Sequence, residues 1–302
     1  MKLKTAWTAS AIVILIVLSV GISYGDTFGE GMKAYESGDF AGAIDAFGRA
    51  LDGYRDNTKD PLSEANCLLY LSMSYLYVGR FDRALAFIDK TPPILEKADN
   101  NGMKQEMLNL YGLIYMSTGH FDNAAEHYER ALQMSGSTAI RAEIFNNLGT
   151  LHVLMKSYGK AMEYYEKGLE GFLCGNAADK TLYAQILTNM AVLYISLKEE
   201  SRADEKLKEA FSQFHGVNDS HKKVEGLINI AKAYISMAGK SNIHNAYNAL
   251  EEAQTTAVSI GDNRALPFVF IYKSKLYEGQ NDYKSALVLL RKSLSALRSL
   301  MK

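Results

Sequence analysis

The chain has 302 residues, 48% of them apolar and 22% charged. That balance suits a packed protein and excludes a disordered one, whose low hydrophobicity could not offset the entropy lost on ordering. A formal net charge of −1 at pH 7 gives no sign of the concentrated basic surface that nucleic acid requires, so no nucleic-acid partner is expected.

The first predicted element is a leader over residues 1–25. Lys2 and Lys4 give a basic start, an apolar run follows from Ala11 to Val20, and Ser23-Tyr24-Gly25 closes it. Small residues at Ser23 and Gly25 suit a signal-peptidase site, so cleavage after Gly25 is expected to leave Asp26 first. The protein would then be exported, periplasmic or secreted. The competing reading retains residues 6–24 as a membrane anchor, although the apolar core is shorter than the ~20 residues that a span needs. A membrane partner is expected only on that reading. Cys67 and Cys174 are the two cysteines, and an exported chain meets oxidising conditions. The register below sets them about two and a half repeats apart, beyond the ~7 Å approach of a disulfide, so two separate thiols are expected.

From residue 26 to 302 one pattern recurs. Alanine stands at Ala43, Ala84, Ala124, Ala161, Ala203, Ala246 and Ala286, at intervals of 41, 40, 37, 42, 43 and 40 residues. Twelve residues earlier comes Gly31, Ser72, Gly112, Gly149, Ala191 or Ser274. In the sixth repeat Ala231 precedes Ala246 by fifteen, which predicts a three-residue insertion in the turn Gly239-Lys240-Ser241-Asn242. Three residues after the small residue stands a ring in Tyr75, Tyr115, Tyr194, Tyr234 and Tyr277, whereas Ala34 and His152 depart from this. Four after the alanine stands Phe47, Ile88, Tyr128, Tyr165, Leu207, Leu250 or Leu290.

Spacings of three and four place each pair on one helical face. The pattern therefore predicts two helices per repeat, close-packed at the small residue and joined by short turns such as Val78-Gly79-Arg80. Such hairpins must stack to bury their faces. Thr91-Pro92-Pro93 should stop or kink the second helix of repeat two, and repeat five carries Glu200 where a ring is usual. In repeat seven Leu290, Leu294, Leu297 and Leu300 are expected to leave an apolar stripe uncovered, a possible surface for homo-oligomer formation.

Over Gly31–Leu51, Leu108–Leu132, Leu148–Leu169 and Tyr272–Leu294 the chain resembles the tetratricopeptide repeat (TPR) family. Its ~40-residue period exceeds the usual 34 and is similar to that of kinesin light chains and related adaptors. The resemblance implies an all-α, right-handed α-solenoid of about seven hairpins. It also implies a groove lined by the first helices, to which residues two and three before the small residue, and one after it, would point. Those positions hold Asn109, Asn146, Asn147, Asn189, Asn229, Lys232 and Lys275. An asparagine amide donates and accepts at once and can hold an extended peptide backbone. The same amides could instead tie neighbouring helices together, and both roles stay open. Lys232 and Lys275 could receive an acidic side chain or a terminal carboxylate. Tyr70, Met73 and Tyr77 could form an apolar pocket, or core between repeats.

No P-loop, Gly-x-Ser-x-Gly, His-Glu-x-x-His or Cys-x-x-Cys occurs. His120 and His127, seven apart, read as surface residues rather than metal ligands. The expected function is non-catalytic, without a cofactor: a scaffold that binds a protein or peptide segment. The alternative is a structural protein that self-associates through its terminal repeats.

Overall fold

The computed structural model describes residues 26–58, 60–173, 179–237 and 239–300. The leader and Cys174 lie outside them. Among the described residues there is no strand, and no helix is long and apolar enough to cross a membrane.

The helices run α1 (26–36), α2 (Phe40–Gly53), α3 (Pro61–Tyr77), α4 (Phe81–Ile88), α5 (Pro92–Ala98), α6 (Asn101–Ser117), α7 (Phe121–Gln133) and α8 (Thr138–Leu154). Then come α9 (Tyr158–Leu173), α10 (Lys180–Ser196), α11 (Glu200–His215), α12 (His221–Ser236), α13 (Lys240–Ile260), α14 (Leu266–Gly279) and α15 (Tyr283–Leu300). The described residues fall into two compact units, those of Met1–Tyr35 with Phe40–His120 and those of Glu36–Asp39 with Phe121–Lys302.

Each unit is a stack of helical hairpins, the construction of an α-solenoid. All seven alanines are buried, six at 0% exposure and Ala286 at 3%. The small residues face the second helix of their own hairpin. A methyl group on Gly31 would meet the Phe47 ring at 2.6 Å, and one on Gly149 would meet Tyr165 at 2.4 Å. Ser72 closes the same contact differently, its hydroxyl donating to the Ala84 carbonyl at 2.8 Å. The partner's size follows the small residue. Glycine at residues 31, 112 and 149 goes with Phe47, Tyr128 and Tyr165, whereas Ser72 and Ala191 go with Ile88 and Leu207; in the last repeat the equivalent of these partners, Leu290, is 37% exposed and falls outside the rule. The total volume of each pair is thus held roughly constant, as close packing demands.

Different chemistry starts the two helices of a hairpin. The first helix is capped by a side chain: Asp60, Asn100, Ser137, Asp179 and Ser220 accept from the first-turn N–H groups of α3, α6, α8, α10 and α12. The second helix starts from a left-handed residue five before the alanine. That residue is Gly38, Gly79, Gly119, Lys156, Lys198 or Asn281, with φ of 77, 73, 80, 58, 61 and 62°. Around Gly79 the Arg80 N–H donates to the Tyr75 carbonyl at 2.9 Å and the Gly79 N–H to Leu76 at 2.9 Å. The same pair of bonds recurs around Lys156, where Ser157 reaches His152 at 2.8 Å and Lys156 reaches Val153 at 2.9 Å. These are Schellman closures, which satisfy the last carbonyls of the first helix.

The expected irregularities take definite forms. α4 stops at Ile88, and Pro92 opens the separate helix α5. In repeat six the structure corrects the expected turn insertion: Lys240, Ser241 and Asn242 are helical, and the extra residues lengthen α13 by a turn at its start. His152 stands in for the missing ring of repeat four, stacked on Tyr164 with centroids 5.2 Å apart and planes 8° from parallel. Tyr70, Met73 and Tyr77 belong to the core of the first unit: Tyr70 stacks on Phe47, Tyr77 on Phe40, and the Tyr35 hydroxyl meets the Met73 sulfur at 2.6 Å. His120 lies in the turn before α7, its ring nitrogen 3.0 Å from the Thr118 hydroxyl.

Candidate functional site

In the second unit the first helices of successive hairpins pack against one another: α8 on α10, α10 on α12, α12 on α14. Equivalent positions therefore line up in columns. Two residues before the small residue the column reads Asn147, Asn189, Asn229, Tyr272. One residue after it the column reads Thr150, Val192, Lys232, Lys275, and six before it Glu143, Gln185, Glu225, Phe268. Offsets of three and four keep these columns on one face. Along it Val192 is 40% and Phe268 54% exposed, Lys232 and Lys275 are exposed, and Asn189, Asn229 and Tyr272 are half-buried.

The expected site residues divide by burial. Asn146 and Asn147 are each 8% exposed, and Asn109, in α6 of the first unit, is 6% exposed. Asn146 nevertheless contributes a bond across the repeat boundary, accepting from the Asn189 amide NH2 at 2.8 Å. That fixes which way the Asn189 amide points. Its carbonyl oxygen has no partner among the described residues. One repeat on, Lys232 donates to the Asn229 oxygen at 3.2 Å, which orients that amide the other way and leaves its NH2 free among the described residues. Adjacent repeats thus present a free acceptor and a free donor. Lys232 and Lys275 also flank Tyr272, their ammonium nitrogens 6.0 and 5.1 Å from the ring centroid, within cation–π range.

Behind this face lies chemistry that periodicity alone did not reveal. Lys273 is 4% exposed, with its ammonium 2.8 Å from Glu251 and 2.6 Å from the Gln254 oxygen. Desolvation pushes the Glu251 carboxyl up, but bonds from Lys273 and Tyr247 outweigh it and hold the group below its ordinary range. The Tyr247 hydroxyl is pushed up by its bond to Glu251 and by burial. Lys223, 6% exposed, pairs with Asp219 and Glu252, each at 3.3 Å. The signal for Lys273 was there to read: a cation just before Ser274, where other repeats carry Leu71, Leu148, Met190 or Ile230.

A half-open cavity of about 640 Å³ lies between the start of α13 and the end of α14, lined by Ile243, His244, Tyr247, Leu276, Tyr277 and Gln280 among others. Among the described residues no group of three or more His, Cys, Asp or Glu side chains is placed to hold a metal ion. Taken together, the face offers amides, two ammonium groups and aromatic surface, which is the chemistry of binding.

Residues 105–173 match the tetratricopeptide repeat family model. No curated protein sequence matches the chain. Among solved structures it is similar to the apo quorum sensor NprR from B. thuringiensis, with a TM-score of 0.65 at 14% identity, covering 95% of this chain and 82% of that one. A Rap protein complexed with Competence and Sporulation Factor gives 0.63 at 15% identity, covering 92% and 75%. A Rap conjugation gene regulator in complex with the Phr* peptide gives 0.62 at 15%, covering 94% and 76%. At these identities the likeness speaks to the fold. The hairpin register is carried through both units, and over residues 105–173 the chain is similar in sequence to the tetratricopeptide repeat family.

Proposed function

We propose that this chain is a non-catalytic interaction scaffold that grips an extended peptide or protein segment along α10, α12 and α14. The observation that carries the reading is the pair of half-used amides, Asn189 with a free acceptor and Asn229 with a free donor, on adjacent repeats. An extended backbone presents N–H and C=O groups in matching alternation. Lys232 and Lys275 beside Tyr272 add preference for an acidic residue or terminal carboxylate at the α14 end. Asn146 serves here by orienting Asn189, and Asn147 and Asn109 are buried away from a ligand. The peptide-bearing Rap regulator, named for its complex with Phr*, lends support by analogy of fold.

The test uses peptides recovered from a random library on the immobilised full chain, titrated against Asn189→Ala and Asn229→Ala. Each lost hydrogen bond should weaken binding by on the order of 1 kcal/mol with helicity unchanged. If both replacements lower the unfolding midpoint and leave affinity intact, the amides serve only the stack and the reading fails. The sequence of the leader supports export, and an exported chain would meet its partner outside the cytoplasm. Cell fractionation with an antibody against the chain tests that separately.

A further inference from the structure

α15 packs against α14 through Ala286 and Ser293, both nearly fully buried, and turns a second face outward. On that face Tyr283, Leu287, Leu290, Leu294 and Leu297 follow one another at spacings of 4, 3, 4 and 3 residues and are 64, 50, 37, 55 and 39% exposed. This is the spacing of a coiled-coil seam, positions d-a-d-a-d of a heptad, and its residues are left between about a third and two thirds exposed among the described residues. The next position beside the seam is as regular. Lys284, Arg291 and Arg298 stand seven residues apart, all exposed, and none pairs with a carboxylate among the described residues. α15 itself contains no Asp or Glu. The opposite edge of the seam is the small, buried pair Ala286 and Ser293.

We infer that the seam of α15 is a docking site for an amphipathic helix of a partner protein, with apolar residues at heptad spacing and a row of Asp or Glu along the edge that meets Lys284, Arg291 and Arg298. Charge decides between this occupant and the others. In an antiparallel pairing of two copies the basic edges face each other, so Lys284 meets Arg298 and Arg291 meets its own equivalent, like against like. In a parallel pairing the basic edge would need the Ala286–Ser293 edge of the second copy, which α14 already covers. An anionic lipid surface would be served by cations on both flanks of the apolar face. Here Lys284, Arg291 and Arg298 follow heptad register on one flank, with Lys292 beside Arg291, and the Ala286–Ser293 flank carries no cation.

The full chain is titrated by fluorescence anisotropy with two labelled three-heptad peptides, both with leucine at the seam positions, one flanked by Glu and the other by Lys. The Glu peptide should bind roughly tenfold more tightly, the sum of three modest ion pairs. The triple variant K284E/R291E/R298E should invert that order. Leu287→Asp with Leu294→Asp should abolish binding of both peptides while circular dichroism stays unchanged. Equal binding of the two peptides overturns the inference, as does a preference that survives the charge reversal. Concentration-dependent dimerisation broken by Leu287→Asp would assign the seam to a second copy. Sedimentation with vesicles of anionic phospholipid, without binding of either peptide, would assign it to a membrane. Either of these outcomes sinks the proposal.

Discussion

The contact between Gly149 and Tyr165 can be tested against the pairing found two helices further on. A methyl group at Gly149 would lie 2.4 Å from a ring carbon of Tyr165, about 1 Å inside ordinary contact. Tyr165 is 1% exposed and its hydroxyl lies 3.2 Å from that of Thr150, so the ring has little room to retreat. Gly149→Ala should gain about 1 kcal/mol in helix propensity and lose about 1–3 kcal/mol to overpacking, a net loss of up to ~2 kcal/mol. Gly48→Ala is the control: it lies mid-helix in α2 with nothing within 4 Å of the added methyl, and should gain about 1 kcal/mol. Tyr165→Leu alone leaves a void and should cost roughly 2–3 kcal/mol. The double variant recreates the Ala191–Leu207 pair, so it should be more stable than Tyr165→Leu alone. Urea unfolding of the four variants measures all of this. If the double variant lost the sum of the single losses, or if Gly149→Ala gained as much as Gly48→Ala, the proposed complementarity of size would be refuted.

Three further outcomes are expected. Lys156 and Lys198 occupy the left-handed turn position that is glycine in the first three repeats, so Lys156→Gly and Lys198→Gly should each raise stability by ~0.5–1 kcal/mol, read from the urea midpoint. Burial, reinforced by Lys160 and opposed by Glu129, holds the His152 imidazole below its ordinary value. Its unfolded form therefore takes up a proton first, so stability is full above about pH 6.5 and falls as pH drops toward the folded value, a slope that His152→Phe should flatten. Burial pushes the Cys67 thiol up to about 12, so mass-spectrometric mapping should find Cys67 unalkylated by iodoacetamide until the chain unfolds; modification at the native rate of a free peptide thiol would contradict that burial.

The hairpins could be read from the sequence because close helix packing leaves a mark in composition. Only Gly, Ser or Ala fits where Gly31, Ser72 and Ala191 sit, and the alanines twelve residues on are buried for the same reason. What escaped was set by partners distant in sequence or by exceptions to propensity. Gly226 accommodates the Phe214 ring of the preceding hairpin, where an added methyl would come within 2.1 Å, and the equivalent position holds glycine in no other repeat. The turns at Lys156 and Lys198 carry no glycine to announce them. Along the site, the asparagine spacing was legible, but the division between buried Asn146 and Asn147 and reachable Asn189 and Asn229 depends on how tightly each hairpin closes on the next. Lys273 is enclosed by Glu251 and Gln254, partners on α13 about twenty residues away that no repeat spacing points to.

The added turn of α13 shows how such an array can take up extra residues without losing its register. Three extra residues lengthen a helix by ~4.5 Å, and they precede Ile243 and His244, which line the notch together with Gln280 at the end of α14. Ala246 keeps its place at 0% exposure throughout. The length of a second helix at its start can thus vary while the buried alanine that sets the hairpin's register stays in place.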